Sequence, residues 1–200
     1  MPPVIASHTL EIRGSTIHYL EIGDISSPTI LFLHGASFTA HTWQEIGTLA
    51  YFADRGYRAI AIDVPGYGSS QSINFPREEF LGQLLAGIEC DRPILVSPSM
   101  SGGYSLPFIA QSAEKLRGFV AVAPVGINRY QDAIAGIKLP VLAIWGSNDR
   151  IVSPKLADLL VELIPQAKKV ILENAGHACY MKATEAFHQH LFAFLEDLNR

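Results

Sequence analysis

Residues 92–106, RPILVSPSMSGGYSL, contain a short apolar run, a small polar turn and the beginning of a further element. The run before the first serine is typical of a buried strand, and the residues after the two glycines can begin a helix. A strand that enters a helix through a tight turn is the repeating unit of α/β proteins. The stretch therefore predicts such a unit, and its turn carries three hydroxyl groups, those of Ser97, Ser99 and Ser101.

The alternation of strand and helix continues on both sides of this stretch. Two alternating apolar segments joined at Gly14-Ser15 predict an N-terminal β-hairpin, and the later strands alternate with segments of helical periodicity. The predicted strands are residues 9–13, 16–22, 29–33, 58–62, 93–96, 118–123, 140–145 and 168–172. The predicted helices are one that begins with a capping box at Thr42, and residues 76–88, 99–112, 153–164 and 184–198.

This order of elements predicts an α/β fold with a mostly parallel eight-stranded sheet, an N-terminal antiparallel hairpin and helices on both faces. With 200 residues, of which 48% are hydrophobic, the chain can bury one sizeable core, so we expect residues 1–200 to form a single domain. Only residues 124–139 separate the sixth strand from the seventh. That segment has room for one short helical turn around residues 129–135 and for no cap domain.

Charge and composition narrow the classes of partner. The net charge is −4 and no cluster of Lys or Arg offsets it, so we expect no binding to nucleic acid or to an anionic membrane surface. The first eight residues lack the charged segment and apolar run of a secretory signal, and no run approaches the ~18 apolar residues of a membrane span. We therefore expect a cytoplasmic protein in which Cys90 and Cys179 are reduced.

Residues that can perform nucleophilic chemistry follow the predicted parallel strands. Ser99 follows the fifth strand, Asp149 the seventh and His177 the eighth. The carboxyl ends of parallel strands lie at one edge of the sheet, where ligands of such folds bind. A serine needs a histidine base, and the histidine an orienting carboxylate, to attack a carbonyl group at neutral pH. The three residues therefore predict a nucleophilic site at this edge.

Four loop motifs occur after these strands, namely HGAS (34–37), DVPGYGSS (63–70), GSND (146–149) and NAGH (174–177). In this order they resemble the α/β-hydrolase superfamily over nearly the whole chain, and the order Ser…Asp…His is also that of these enzymes. More narrowly, SPSMSGGYSLPF together with GHACY resembles the alpha/beta hydrolase domain-containing protein 14 subfamily, whose turn likewise carries serines in place of glycines.

The superfamily's nucleophile turn has the frame G-x-S-x-G-G, and the resemblance assigns the three serines different roles. Ser99 takes the nucleophile position, Ser97 and Ser101 take the outer glycine positions, and Gly102 matches the following glycine. A turn serine that caps the next helix is the alternative interpretation of Ser99, because helix N-termini favour serine.

The partners of Ser99 carry alternatives of their own. His177 is the expected base, against a histidine of a surface loop, and Asp149 is the expected acid, against an aspartate that only caps Arg150 or the helix at Ser153. Asp63 also follows a strand, and the resemblance implies a structural role for it. Backbone N–H groups of Ala36 and Met100 are expected to stabilise the oxyanion.

Without a cap the site should be open, and four side chains are expected to form a shallow wall: Phe38, Tyr67, Ile127 and Met181. An open site favours short acyl chains, or an acyl group on a bulky carrier such as a peptide, over long-chain lipids. The histidines and cysteines are not spaced as metal ligands, so we expect no metal and no resident cofactor. The resemblance implies action on small acetyl esters, and acetyl-lysine deacylation with transfer of the acetyl group to coenzyme A.

Two functions fit these observations. The first is a serine hydrolase or acyltransferase that forms an acyl-enzyme on Ser99 and acts on a small acyl substrate or acylated peptide. The alternative is a non-catalytic scaffold that binds a protein partner, because a fold alone does not fix function and both outer glycines of the turn are replaced.

Overall fold

An eight-stranded sheet runs through residues 4–200, the part of the chain that the computed structural model describes. The first three residues, which belong to the N-terminal stretch used to predict the absence of a secretory signal, lie outside the described residues. The strands are β1 (Ala6–Ile12), β2 (Ser15–Ile22), β3 (Thr29–Phe32), β4 (Arg58–Ile62), β5 (Ile94–Pro98), β6 (Gly118–Val122), β7 (Val141–Gly146) and β8 (Ala167–Leu172).

The pairing of the strands confirms the predicted sheet. In space the order is β1-β2-β4-β3-β5-β6-β7-β8, and every pair from β4 to β8 is parallel. β1 and β2 form the antiparallel hairpin, and β2 also joins β4 in antiparallel fashion. β4 lies on one side of β3 and β5 on the other, so the chain changes the direction of strand addition between β3 and β5. Ligands of open α/β sheets bind at the carboxyl ends of the strands at such a switch point.

Helices cover both faces of the sheet, as predicted. They are α1 (Ala40–Glu45), α2 (Thr48–Ala53), α3 (Arg77–Gly87), α4 (Gly102–Ser112), α5 (Ile127–Ile134), α6 (Lys155–Leu163), α7 (Cys179–Lys182) and α8 (Thr184–Leu198). Side chains alternate between the faces along each strand, so Leu31 joins the core under α3 and α4 while Ile30 joins the core under α2 and α8. Ile30 on one face of the sheet and Leu31 on the other are both buried. The central strands are thus covered on both faces, which explains their continuous apolar runs.

The first helical region differs from the prediction. The helix begins at Ala40 rather than at Thr42, because the carboxylate of Asp63 accepts a hydrogen bond from the Ala40 N–H at 2.7 Å. The Thr42 hydroxyl instead accepts a hydrogen bond from the Thr39 N–H at 3.5 Å. Gly47, with φ +74°, then divides the region into α1 and α2.

The connection from β6 to β7 confirms that no cap domain is present there. It contains α5, an eight-residue helix of about two turns, where the sequence predicted one short turn. Ile127 and Ile134 lie at its two ends and are fully buried against the sheet. The carboxyl edge of the sheet is therefore left without a covering domain. Among the described residues, every helix is too short or too polar to cross a lipid bilayer.

A buried histidine joins α8 to α2. His188 Nε2 lies 2.8 Å from the Thr48 hydroxyl, and its ring stacks on Tyr51 with ring centroids 4.4 Å apart. Burial, and secondarily the Arg55 guanidinium, lower the pKa of His188 from 6.5 to about 4. The folded protein therefore holds this imidazole neutral.

Stability should consequently depend on the protonation of His188. The unfolded chain takes up a proton at His188 below about pH 6.5, whereas the folded chain takes it up only near pH 4. The contribution of the neutral His188 to the free energy of unfolding is therefore complete above pH 6.5 and is lost as the pH falls toward 4. We expect the thermal midpoint of the wild type to fall over this range relative to that of His188→Gln. Differential scanning calorimetry from pH 7.5 to 4 measures this, with the exposed His41→Gln as the control. Parallel curves for wild type and His188→Gln would contradict the expectation.

Candidate active site

The turn after β5 holds Ser99 in a strained conformation. Its φ is +49°, in the left-handed region that non-glycine residues rarely adopt. A single 3₁₀ turn, Ser99–Ser101, then leads directly into α4. Strain of this kind persists only where the surroundings fix it, and it is typical of a serine exposed on a sharp strand-to-helix turn.

The three residues predicted at the strand ends form one hydrogen-bonded chain. The Ser99 Oγ lies 2.7 Å from His177 Nε2, and His177 Nδ1 lies 2.8 Å from Asp149 Oδ2. A carboxylate can only accept, so Nδ1 carries the hydrogen and Nε2 is left as the acceptor for the Ser99 hydroxyl. The imidazole therefore has the tautomer that can take a proton from this serine.

Asp149 also serves its own loop. Its second oxygen, Oδ1, accepts hydrogen bonds from the N–H groups of Ile151 and Val152 at 2.8 and 2.9 Å. Asp149 thus contacts the histidine through one oxygen and its own loop through the other, and in the described part of the chain neither oxygen accepts from Arg150 or from the helix after Ser153. The loop bonds fix the carboxylate in the orientation that presents Oδ2 to the imidazole of His177.

The two outer serines of the turn are buried and make different hydrogen bonds. The Ser97 Oγ lies 2.7 Å from the Ser105 Oγ, which ties β5 to α4. The Ser101 hydroxyl donates to the backbone carbonyl of His34, in the loop after β3. A glycine could make neither bond. Serine in place of glycine at these two positions therefore adds two hydrogen bonds that hold the turn, and its side chain is small enough to fit there.

His34 holds the loop that follows β3. Its Nε2 accepts a hydrogen bond from the Val64 N–H at 3.0 Å, so its Nδ1 carries the hydrogen and donates to the Gly35 carbonyl at 2.8 Å. Burial lowers the pKa of His34, which keeps the ring neutral as this pattern requires. The histidine thereby fixes the orientation of the peptide between Gly35 and Ala36.

The orientation of that peptide determines where the Ala36 N–H points. The Gly35 carbonyl accepts from His34 and from the Phe38 N–H, and in a trans peptide the Ala36 N–H points the opposite way. Among the described backbone bonds outside helices and strands, none is donated by Ala36 or Met100. Gly35 lies next to Ser99, since a Cβ on Gly35 would be 3.6 Å from the Ser99 Cβ. The two expected oxyanion donors, Ala36 and Met100, are the residues that directly follow Gly35 and Ser99 in the chain.

A cavity of about 240 Å³ adjoins Ser99 and His177. Its other lining residues come from the end of β5, from the loop after β3 and from the segments around the two partners of Ser99; they are Pro98, Gly35, Ala36, Ser37, Phe38, Ile151, Ala178 and Tyr180. This volume is below the roughly 300–1,000 Å³ of pockets for drug-sized ligands. The space beside the serine therefore accommodates a small group.

Of the four side chains predicted to form the wall, the structure places only Phe38 at this cavity. Ile127 is fully buried because it is the first residue of α5 and packs into the core, so its prediction as a wall residue is wrong. Tyr67 packs edge-on against His34, with ring centroids 5.4 Å apart, and Met181 packs against the core under α8. Neither of these two is among the lining residues.

Sequence reasoning missed Tyr180 and Ile151. Tyr180 lies three residues after His177, within the GHACY motif, and its position there was the available signal. Ile151 follows Asp149 closely and is 73% exposed at the rim. Cys179, between the site and α8, is fully buried in the core and does not line the cavity.

A second hydrogen-bonded chain of serine, histidine and aspartate joins the N-terminal hairpin to the loop after β4. The Ser7 Oγ is 2.9 Å from His18 Nε2, and His18 Nδ1 is 2.7 Å from Asp63 Oδ2. Asp63 also accepts from the N–H groups of Ala40 and Ser69 at 2.7 and 2.9 Å. None of Ser7, His18 and Asp63 lines the cavity beside Ser99. Asp63 thus connects the hairpin, α1 and the DVPGYGSS loop.

Other sites are less well equipped for chemistry. A larger groove of about 560 Å³ lies at the opposite edge, beside the amino ends of β3, β5 and β6, and is lined by residues such as Thr29, Arg92 and Arg117. None of the described His, Cys, Asp and Glu side chains form a group of three suited to a metal ion.

Comparison with known proteins gives two kinds of similarity. A family model described as "Alpha/beta hydrolase family" matches residues 30–140. Protein ABHD14A of Mus musculus is 40% identical over 98% of this chain and 83% of its own length. A human protein named "Putative protein-lysine deacylase ABHD14B" is 35% identical over 95% of each chain.

Solved structures share the fold. A predicted CIB-like hydrolase from Thermoplasma acidophilum superposes with a TM-score of 0.92 at 24% identity, covering 98% of this chain and 99% of that chain. The carboxylesterase CesB of Bacillus subtilis gives a TM-score of 0.86 at 16% identity, covering 97% and 92%.

The close packing behind Ser99 predicts which of two adjacent glycines can change. A Cβ on Gly102 would lie 2.3 Å from the Val125 carbonyl oxygen, whereas one on Gly103 would meet only the flexible Arg77 side chain at 3.2 Å. We expect Gly102→Ala to lower the free energy of unfolding by about 1–3 kcal/mol. Gly103→Ala, the control, should be neutral or raise it by about 0.5–1 kcal/mol, since alanine favours helices. Urea denaturation measures both, and equal effects would contradict the expectation.

Proposed function

The chain belongs to the alpha/beta hydrolase family, and we propose that it is a serine hydrolase that removes short acyl groups from esters or amides through an acyl-enzyme on Ser99. The observation that carries the proposal is the hydrogen-bonded chain from Ser99 through His177 to Asp149 beside a small cavity. Nucleophile and base within hydrogen-bond reach, with the base oriented by a third group, are the signature of nucleophilic catalysis.

In the first half-reaction the Ser99 Oγ attacks the carbonyl carbon of the substrate, and His177 Nε2 takes the hydroxyl proton. The carbonyl π-electron pair moves to the oxygen, and the N–H groups of Ala36 and Met100 stabilise this oxyanion. Collapse of the intermediate re-forms the carbonyl and expels the alcohol or amine, which takes the proton from His177. Asp149 keeps the imidazole oriented and stabilises its charged form.

In the second half-reaction an acceptor attacks the acyl-enzyme. Water gives its proton to His177 Nε2, adds to the carbonyl carbon and, after collapse, releases the acid and the free Ser99 hydroxyl. The thiol of coenzyme A would instead give a thioester by the same proton transfers. Assays with and without coenzyme A will identify the acceptor that the protein uses.

The cavity and the relatives support a small acyl group. A volume of about 240 Å³ and the absence of a cap favour a short acyl chain whose carrier remains outside. A relative that covers 95% of this chain is named "Putative protein-lysine deacylase", and the substrate of such an activity carries its acyl group on a large molecule, a protein. We therefore propose acyl-lysine side chains of peptides, alongside simple esters, as substrates of this protein.

The scaffold alternative rests on the unusual turn, and the geometry of the turn weakens it. Both outer serines form buried hydrogen bonds, and the serine, histidine and aspartate remain aligned. A site that had lost its activity would not need this alignment. Absence of esterase activity, together with a stable protein partner in a pull-down, would favour the scaffold.

The choice of nucleophile can be tested with a fluorophosphonate probe and a nitrophenyl acetate assay. We expect Ser99→Ala to abolish labelling and to reduce kcat by at least about 10³-fold. The matched control is Ser7→Ala, because Ser7 also contacts a histidine held by an aspartate and should not be the labelled serine. Labelling that survives in Ser99→Ala and disappears in Ser7→Ala would assign the reaction to the other chain.

The Ser101 hydroxyl should matter for rate, since it connects the nucleophile turn to the loop that carries Ala36. We expect Ser101→Ala to lower kcat between about tenfold and a hundredfold with little change in KM, because the oxyanion donor loses its position. Ser105→Ala removes a comparable buried hydroxyl bond away from that loop and should retain most of the activity. Equal losses in the two variants, in step with equal losses of thermal stability, would indicate a general packing effect.

A further inference from the structure

The cavity beside Ser99 is lined by a phenol that the proposed mechanism does not use. Tyr180 is the second residue of α7, three residues after His177, and is only 2% exposed. Its ring stacks on Trp43 with centroids 4.7 Å apart and meets Phe38 edge-on at 6.3 Å. The tyrosine therefore belongs to the wall of the cavity and to the core behind it.

The position of this ring is fixed from behind. The Trp43 indole N–H donates to the Leu33 carbonyl at 2.8 Å, which ties the tryptophan to the end of β3, just before the oxyanion loop. Phe187 of α8 packs against Tyr180 as well, with ring centroids 6.0 Å apart. A buried ring held on two sides cannot swing away, so its hydroxyl is presented at a constant place.

The Tyr180 hydroxyl has no hydrogen-bond partner among the described side-chain bonds, although buried tyrosine hydroxyls usually find one. Every fully buried side-chain nitrogen or oxygen in the described part of the chain does have a partner. The hydroxyl is therefore not fully enclosed, and Tyr180 is one of the residues that line the cavity beside Ser99. Burial also raises the pKa of this phenol, so the group remains a neutral donor.

The rest of the inner wall offers little else to a polar group. Phe38 and Ala178 are apolar, and Ile151 and Ser37 are exposed at the rim. A fixed donor in a small pocket, additional to the groups proposed to react and to bind the oxyanion, can orient the acyl chain and select among ligands of equal size.

We propose that the Tyr180 hydroxyl is a specificity determinant that donates a hydrogen bond to the acyl chain, so that the site prefers short acyl groups carrying a hydroxyl or second carbonyl oxygen. This inference rests on the proposed hydrolase function and adds a substrate class to it. A site with a hydrogen-bonding group discriminates against an analogue that lacks the matching atom, because the protein donor then loses its partner.

Two nitrophenyl esters of equal size test the inference. The acyl groups are 3-hydroxybutyryl and 3-methylbutyryl, in which a hydroxyl replaces a methyl group at one position, and Ser99→Ala gives the background. In a second pair of esters, the hydroxyl or methyl group is attached to the acyl chain one carbon closer to the carbonyl group. The quantity measured is the ratio of kcat/KM within each pair for wild type, Tyr180→Phe and Tyr104→Phe.

Tyr104→Phe is the matched control, because Tyr104 is a buried tyrosine of α4 that lies away from this cavity. In the wild type we expect the hydroxyacyl ester to be preferred in at least one pair. In Tyr180→Phe this preference should fall between about three- and tenfold, because the donor that the hydroxyacyl chain would pair with is gone. Thermal midpoints of the two tyrosine variants control for folding.

The outcomes separate the two claims. If the wild type hydrolyses the esters but the ratio is unchanged in Tyr180→Phe for both pairs, the inference about Tyr180 is wrong and the proposed hydrolase remains. An equal fall in Tyr104→Phe would likewise overturn it. If the wild type hydrolyses none of the esters and Ser99 is not labelled by a fluorophosphonate, the proposed function and the inference both fail.

Discussion

The site depends on one buried hydrogen bond, from the Ser101 hydroxyl to the His34 carbonyl. It joins the turn after β5 to the loop after β3. The two strands are neighbours in the sheet but are separated in the chain by β4 and three helices. The strained Ser99 lies on one side of this bond and the peptide of Ala36 on the other. A reacting carbonyl group must fit between them, so the distance between the two loops must be constant.

A second set of bonds holds these loops from outside. The Val64 N–H donates a hydrogen bond to the His34 ring. The carboxylate of the neighbouring Asp63 accepts hydrogen bonds from the first N–H of α1 and from the His18 imidazole. The antiparallel hairpin is therefore connected to the loop that carries Ala36, the proposed oxyanion donor, although the hairpin lies at the far end of the sheet. This explains why an aspartate at a strand end can be essential to the architecture without touching the cavity.

The sequence predicted the sheet well because its central strands, β3 to β7, are buried on both faces and read as continuous apolar runs. It also brought Ser99, Asp149 and His177 to one edge, since parallel strands place their carboxyl ends together. It failed where the deciding contact is distant in sequence. The start of α1 depends on a carboxylate 23 residues away, and the burial of Ile127 depends on how α5 lies on the sheet. The cavity wall was predicted poorly for the same reason, because a lining residue is defined by neighbours from other loops.

The short connection between β6 and β7 has a kinetic consequence. A hydrolase with a cap must open before its product leaves, and such opening commonly limits turnover. In this protein α5 packs into the core instead of covering the edge of the sheet, and the rim at Ile151 is exposed. In the proposed hydrolase, product release then requires movement of no cap over the β6–β7 connection, so the turnover rate should reflect bond making and breaking and be insensitive to solvent viscosity.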